Sequence, residues 1–200
     1  MSLRWVSQCV HCCPTLALLD SPELPLGDSL HVRLRNALRA EFADGSPVAA
    51  VEAAASLLSL VQFGRFHGLE RPEVRTRLGK PPTGLIQLRA YYSGDQVVIE
   101  LADDGQGLDD EKIVHKALAQ GLISSPEGLS ESDIWQLIFA PGFSTADQVT
   151  DISGRGVGMD VVRKSIEGLH GCLEVRSRRG WGTVFVLSLP TARRTPVARR

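Results

Sequence analysis

The chain contains no long hydrophobic run. Its most apolar window, from Val48 to Val61, includes Glu52 and falls short of the roughly 20 residues that a membrane-spanning helix needs. No segment has the basic, apolar and small-residue order of a secretory signal either. These absences argue against a secreted or membrane-inserted protein and predict a cytoplasmic one.

An excess of either charge is also absent. Lysine and arginine number 22 and aspartate and glutamate number 23, which gives a formal net charge of -1. A chain with this balance is not expected to bind nucleic acid or a membrane surface as its general partner. The basic stretch at 191–200 carries Arg193, Arg194, Arg199 and Arg200, and such chain ends are usually solvated.

Cysteine is scarce, with four residues in the chain. Cys9, Cys12 and Cys13 surround His11, whereas Cys172 stands alone. The spacing around His11 resembles half of a zinc site. Because no second half follows downstream, we expect reduced thiols and no metal role for them.

Glycine is plentiful by contrast, and Gly154, Gly156 and Gly158 stand at alternate positions before an apolar-periodic segment that starts at Met159. Glycine lets the backbone take positive φ and approach an anion closely. The free N–H groups and the dipole of a helix N-terminus attract negative charge. This arrangement predicts a phosphate-binding loop that opens onto a helix.

A second glycine cluster lies about fifty residues upstream. Asp103, Gly105 and Gly107 directly follow the strand-like run from Gln96 to Ala102. A carboxylate at the end of a buried strand can accept a hydrogen bond from an exocyclic amine, and the glycines let a flat ring lie against the backbone. Alternatively, Asp103 is a turn residue that caps its own backbone.

A third cluster, Gly180-Trp181-Gly182-Thr183, begins the final apolar run, Val184 to Leu189. Taken alone, it also fits an ordinary hairpin turn. Three glycine-rich turns, each at the edge of a regular element, together predict a nucleotide pocket.

The hydrophobic periodicity and turn signals predict a layered fold in one domain. Helices are expected over 29–42, 46–66, 109–120 and 158–169, with a short capped helix from Ser130, and strands over 84–92, 96–102, 172–176 and 184–189. This order implies a two-layer α/β sandwich, with a mixed, mainly antiparallel sheet and helices on one face. Residues 1–45 are predicted as a partly helical N-terminal arm, 46–190 as the domain, and 191–200 as a basic tail.

Three phrases of the sequence resemble one known family. They are Pro141-Gly142-Phe143-Ser144-Thr145, the stretch from Thr150 to Val162, and Gly180 to Thr183, in that order. Together they are similar to the ATP-binding domain of CheA-type chemotaxis histidine kinases, within the GHKL group that includes gyrase and MutL ATPases. The resemblance covers about Leu57 to Pro190. It implies the GHKL fold, ATP as the cofactor, and a role in two-component phosphorelay signalling.

The resemblance also implies a role for each matching residue. Asp103 would bind the adenine amino group, and Gly105 and Gly107 would form the turn beneath the base. The triphosphate would be wrapped by Gly154, Gly156 and Gly158 with Arg155 as a cationic contact, while Gly182 and Thr183 would lie near the adenine. The Ser- and Gly-rich segment 121–142 resembles the lid that folds over ATP. Phe139 is expected in the core and Phe143 either there or in the lid.

One departure from the family pattern bears on mechanism. CheA-type kinases carry a Mg²⁺-coordinating Asn in the phrase H-L-V-R-N-x-x-D-H-G-x-E, and this chain has Phe63 at that position, aligned by the shared His67-Gly68-x-Glu70. Mg²⁺ takes oxygen ligands, and phenylalanine offers none. Whether the chain binds Mg²⁺ is therefore an open question at this point, and no residue is predicted to be catalytic. A stand-in ligand, either Asn36 or Gln62 on a rotated helix, is an alternative.

Three hypotheses follow for the function. The chain is an ATP-dependent histidine kinase domain impaired in Mg²⁺-dependent transfer, or a pseudokinase that senses nucleotide or binds protein, or a fragment that no longer binds nucleotide. His115 and His170, on predicted helices, are expected to face solvent and not to be phosphorylated, so a phosphoacceptor histidine would come from a separate chain. The N-terminal arm is a candidate for oligomer contacts.

Overall fold

A computed structural model describes residues 3–9, 47–64, 68–143 and 158–190, with side chains from residue 53 onward. The strands are β1 Leu3–Cys9, β2 Gly84–Ser93, β3 Gln96–Asp103, β4 Cys172–Arg178 and β5 Gly182–Pro190. The helices are α1 Pro47–Phe63, α2 Pro72–Arg77, α3 Asp110–Ala119, α4 Glu131–Gln136 and α5 Met159–Gly168, with a 3₁₀ turn at Leu137–Phe139.

The strands form one five-stranded sheet in the order β1-β2-β3-β5-β4. β1 pairs with β2 in parallel, from Leu3 opposite Gly84 to Cys9 opposite Ala90. The remaining pairs are antiparallel. The sheet is therefore mixed and mainly antiparallel, as predicted. Its edge strand β1 comes from within 1–45, where the sequence predicts a partly helical arm and no strand.

The core forms because one face of each central strand is apolar. Leu88, Leu101, Phe185 and Val175 are successive partners across β2, β3, β5 and β4, and all four are buried. Their neighbours along β2 alternate between buried and half-exposed, which is the pattern of a sheet covered on one side. Buried residues of α1 and α5 complete the same hydrophobic cluster, so the predicted two-layer α/β sandwich is confirmed.

The helix ends follow local sequence signals. The Asp109 carboxylate accepts a hydrogen bond from Lys112 N (3.2 Å) and caps α3. Ser130 and Asp133 form the predicted reciprocal capping box on α4. The hairpin of β2 and β3 turns at Gly94, as the Ser-Gly-Asp signal predicts.

Some predictions differ from the structure or lie outside it. α1 ends at Phe63, and the predicted end at Phe66 lies outside the described residues, as does the predicted helix over 29–42. His170, predicted on a helix, instead follows the end of α5 with a φ of 56°, because Leu169 closes the helix and Gly171 N returns to Ile166 O. Within the part of the chain that the structure describes, no helix has the length and apolar character to span a membrane.

Candidate nucleotide-binding site

The site is built around Asp103, the last residue of β3. Its Oδ1 accepts hydrogen bonds from Gly105 N (2.9 Å) and from Thr183 N on β5 (3.3 Å). Among the described residues, none donates to Oδ2, which lies beside Gly64 and Gly68 in the segment that follows α1. The carboxylate is thus held by one oxygen, and its other oxygen is a half-buried acceptor without a described donor.

Burial changes the acidity of this carboxyl group. Desolvation raises the pKa of Asp103 from 3.8 to about 6, with smaller contributions from the carboxylates of Asp104 and Glu70. The hydrogen bonds from Gly105 and Thr183 act in the opposite direction. Near pH 7 the carboxyl group is ionised, and its burial has an unfavourable desolvation free energy. A hydrogen-bond donor on a ligand would offset part of this free energy.

The turn after Asp103 is tied to the β4–β5 turn. Gln106 O accepts from Gly180 N (2.7 Å), and Leu108 N donates to Ser177 Oγ (2.7 Å). Gly107 has a φ of 74°, and an added Cβ there would lie 2.5 Å from Arg178 O. Only glycine fits at this position, because both the left-handed backbone and the close approach exclude a side chain.

These turns enclose a cleft of about 550 Å³. The described residues that line it come from α1, α2, the Asp103 turn, α3 and the β4–β5 turn; they are Phe63, Gly68, Glu70, Val74, Leu78, Asp103, Gln106, Gly107, Leu108, Asp109, Lys112, Ile113, Arg179, Gly180 and Thr183. The volume lies in the range of small-molecule sites. The apolar side chains of this mixed lining, together with the Asp103 carboxylate, fit an adenine ring, which presents a flat apolar face and an amino donor.

Phe63 occupies the wall where the resemblance expects a metal ligand. Its ring lines the cleft and packs edge-on against Phe185, with the ring centroids 5.9 Å apart. Gln62, the alternative ligand, is exposed and not a lining residue, and Asn36 lies outside the described residues. The oxygen ligand that Mg²⁺ requires is therefore missing at this position, and the described residues do not fit a metal there.

The structure brings the predicted base-binding residues together. Asp103, Gly107 and Thr183 line the cleft, whereas Gly105 and Gly182 form the adjoining backbone, where an added Cβ on Gly182 would collide with Asp103 O. Of the predicted phosphate-binding residues, Gly158 is the N-cap of α5. Gly154, Arg155 and Gly156 lie outside the described residues.

The structure describes the positions of the two phenylalanines and two histidines for which burial or exposure is predicted. Phe139 and Phe143 are both buried in the core, and Arg163 lies over the Phe139 ring, 4.8 Å from its centroid. His115 and His170 face solvent, as predicted.

Sequence reasoning missed a buried ion-pair network behind the Asp103 turn. The Arg75 side chain is 1% exposed and contacts Glu70 (3.1 Å) and Asp104 (2.7 Å), and Lys80 contacts Glu70 (2.7 Å). No local pattern indicates this burial, because arginine and glutamate are usually exposed.

Comparisons with curated proteins find similarity to chemotaxis kinases. The chain is 50% identical to the chemotaxis protein CheA of Bacillus subtilis over 136 residues, covering 67% of this chain and 20% of that protein. It is 45% identical to a gliding motility regulatory protein of Myxococcus xanthus over 137 residues, which is 68% of this chain and 18% of that protein. The chain thus spans about a fifth of the length of these relatives.

Among solved structures, the catalytic domain of histidine kinase ThkA in a nucleotide-free form matches 71% of this chain and 68% of that chain, at 21% identity and a TM-score of 0.44. Residues 72–193 match the family described as histidine kinase-, DNA gyrase B-, and HSP90-like ATPase. This match covers more than half of the chain. The chain therefore belongs to the histidine kinase-, gyrase B- and HSP90-like ATPase family.

Proposed function

We propose that the cleft binds ATP and that this chain is the ATP-binding unit of a CheA-like histidine kinase. Membership of the ATPase family implies ATP binding, and the similarity to CheA proteins supports a place in chemotaxis-type signalling. The observation that carries the proposal is the Asp103 carboxylate, which is fixed through Oδ1 while Oδ2 has no described donor. The adenine amino group would donate to Oδ2.

The remaining contacts extend this proposal along the nucleotide. Gly105, Gly107, Gly182 and Thr183 would surround the base from the two linked turns. The triphosphate would run toward Gly158 at the start of α5, where the helix N-terminus favours negative charge. Gly154, Gly156 and Arg155 are proposed as further phosphate contacts on the strength of the sequence alone.

Phe63 bears on whether the chain can carry out Mg²⁺-dependent phosphoryl transfer. Phosphoryl transfer in the family relies on a metal to neutralise the charge that develops on the phosphates, and loss of one such electrostatic contact typically costs about 3 kcal/mol. An aromatic ring stands where a ligand oxygen is expected. This should impair phosphoryl transfer but not nucleotide binding, because the Asp103 contact does not involve the metal. We therefore expect ATP binding with impaired Mg²⁺-dependent transfer.

This same observation favours a second candidate function. A pseudokinase would use nucleotide binding to sense ATP or to control a protein contact, without transferring phosphate. If transfer does occur, the phosphoacceptor histidine would come from a separate chain. A cytoplasmic location and oligomer contacts through residues 1–45 stay predictions.

Isothermal titration with ATP, in the presence and absence of Mg²⁺, tests the proposal. We expect the parent chain to bind ATP with an affinity that Mg²⁺ does not change. In Phe63→Asn, which restores an oxygen ligand, Mg²⁺ should tighten binding. The matched variant Phe63→Leu, which changes the ring without adding an oxygen, should stay indifferent to the metal.

The outcomes separate the hypotheses. Binding by the parent that tightens strongly with Mg²⁺ would show that another residue holds the metal and would favour an active kinase. An absence of any heat with ATP, in a chain shown to be folded by circular dichroism, would refute nucleotide binding.

A further inference from the structure

Arg75 is a buried cation with an unusual set of acceptors. Beyond the carboxylates of Glu70 and Asp104, its guanidinium donates to the carbonyls of Pro81 (2.7 Å) and Asp104 (3.2 Å). Replacing such a buried ion network with apolar side chains is often neutral for stability. Stability alone is therefore a weak account of why these charges are buried, and their geometry suggests another role.

Lys80 contributes a second cation to the same place. Its ammonium group donates three hydrogen bonds, to Glu70 Oε1 (2.7 Å), Asp104 O (3.0 Å) and Gly105 O (2.7 Å). An ammonium group has three donors, so this side chain is fully used. Two of its three acceptors are carbonyls of the turn that follows Asp103.

The planarity of the peptide bond connects these cations to the base-binding carboxylate. The peptide between Asp104 and Gly105 has its carbonyl held by Lys80 and Arg75, and its N–H donates to Asp103 Oδ1. In a trans peptide the C=O and N–H point in opposite directions within one plane, so fixing the carbonyl fixes the direction of the N–H. The cations thereby determine where the Asp103 carboxylate is held.

The next peptide is held in the same way. Gly105 O accepts from Lys80, and Gln106 N donates to Gly68 O (2.8 Å) in the segment between α1 and α2. Asp104 is itself anchored to the start of β2, since its Oδ1 accepts from Leu85 N (2.9 Å). Both peptides of the turn are therefore held at the carbonyl and at the N–H. Because this fixes the Asp103 carboxylate in advance, its side chain loses less conformational freedom when a ligand binds.

We propose that Lys80, supported by Arg75 and Glu70, is a positioning residue that orients the Asp103 turn for the adenine base without contacting the nucleotide. This inference rests on the proposed function, because it concerns the same site. It assigns Lys80 to the base end of the ligand. A lysine that contacted phosphate directly would behave differently, because its contribution would increase with the number of phosphates.

Calorimetric titration of the full chain with adenosine, ADP and ATP tests the proposal with Lys80→Met. Methionine keeps a long apolar stem but donates no hydrogen bond. We expect all three ligands to bind about fivefold more weakly, by the same factor, which is the affinity equivalent of one net hydrogen bond. The matched control is Arg77→Met, which removes a positive charge three residues before Lys80, at the end of α2. Arg77 is exposed and its Nε donates to Glu73 O. This control should bind like the parent.

Several results would overturn the proposal. A loss that grows from adenosine to ATP would show direct phosphate contact, and unchanged affinity for all three would show that Lys80 does not orient the turn. A lower urea midpoint with parent-like adenosine affinity would indicate a role in stability alone. If Lys80→Met does not fold, Lys80→Gln is titrated under the same criteria. Failure of the parent to bind any of the three ligands would instead refute the proposed function.

Discussion

Asp103→Asn is expected to stabilise the ligand-free protein while it weakens nucleotide binding. In the folded chain the carboxylate pKa is raised to about 6 from 3.8 by desolvation. This difference corresponds to a destabilisation of up to about 3 kcal/mol when the group is ionised. Asparagine keeps an oxygen acceptor for Gly105 N and Thr183 N but carries no charge, so it removes that cost.

The pH dependence has a defined sign. Because the folded pKa lies above the unfolded one, the stability linked to this group is fully present below about pH 3.8 and is lost as pH rises through about 6. The advantage of Asp103→Asn over the parent should therefore be largest above about pH 7 and should shrink as pH falls from about 6 toward 3.8. Urea unfolding followed by circular dichroism, with both proteins at each pH, measures the difference.

Binding should change in the opposite direction. Loss of a hydrogen bond to a charged group costs about 1.5–3 kcal/mol, so ATP affinity should fall by roughly tenfold or more. In the parent, affinity should also fall as pH drops through about 6, whereas Asp103→Asn should show no such step. Glu174→Gln, which neutralises an exposed carboxylate on β4 outside the cleft, is the control and should change neither quantity by a comparable amount. An Asp103→Asn protein that is less stable than the parent near pH 7.5, or that binds ATP equally well, would refute the reasoning.

Three further substitutions test the packing around the site, each by urea unfolding. Gly107→Ala should cost about 2 kcal/mol or more, because φ is positive and the new Cβ would meet Arg178 O; a neutral result would contradict the described turn. Ser130→Ala removes the capping box with Asp133 and should cost about 1 kcal/mol, and a rescue by Ser130→Thr is expected. Phe185→Ala should cost about 3–5 kcal/mol, since the ring is 1% exposed; a loss below about 1 kcal/mol would indicate that the core collapses around the gap.

Much of the fold could be predicted because its signals are local. Ser93, Gly94 and Asp95 specify the β2–β3 hairpin through turn chemistry, and Ser130 with Asp133 specifies the start of α4. The glycine turn at Asp103 follows a strand whose apolar run is visible in the sequence. Each of these features depends on residues within a few positions of one another.

The rest depends on contacts between distant residues, which no local pattern encodes. Leu3–Cys9 pairs with β2 across more than seventy residues of chain, and nothing in its composition identifies its partner. The burial of Arg75 follows from acceptors that lie up to 29 residues away. The sequence identified Phe63 as a departure from the family phrase, but the contact of its ring with Phe185 required the folded chain.

The edge-on contact between Phe63 and Phe185 also affects how well an oxygen ligand would fit at this position. Phe185 also contacts Phe139 edge-on, with the ring centroids 6.3 Å apart. The Phe63 ring is therefore the outer member of a series of three aromatic rings in edge-on contact that continues into the core. The substitution Phe63→Asn would put an amide against the Phe185 ring and leave a void beside it. An oxygen ligand introduced by Phe63→Asn is therefore expected to lower the stability of the ligand-free protein, because the neighbouring rings fit an aromatic side chain at this position.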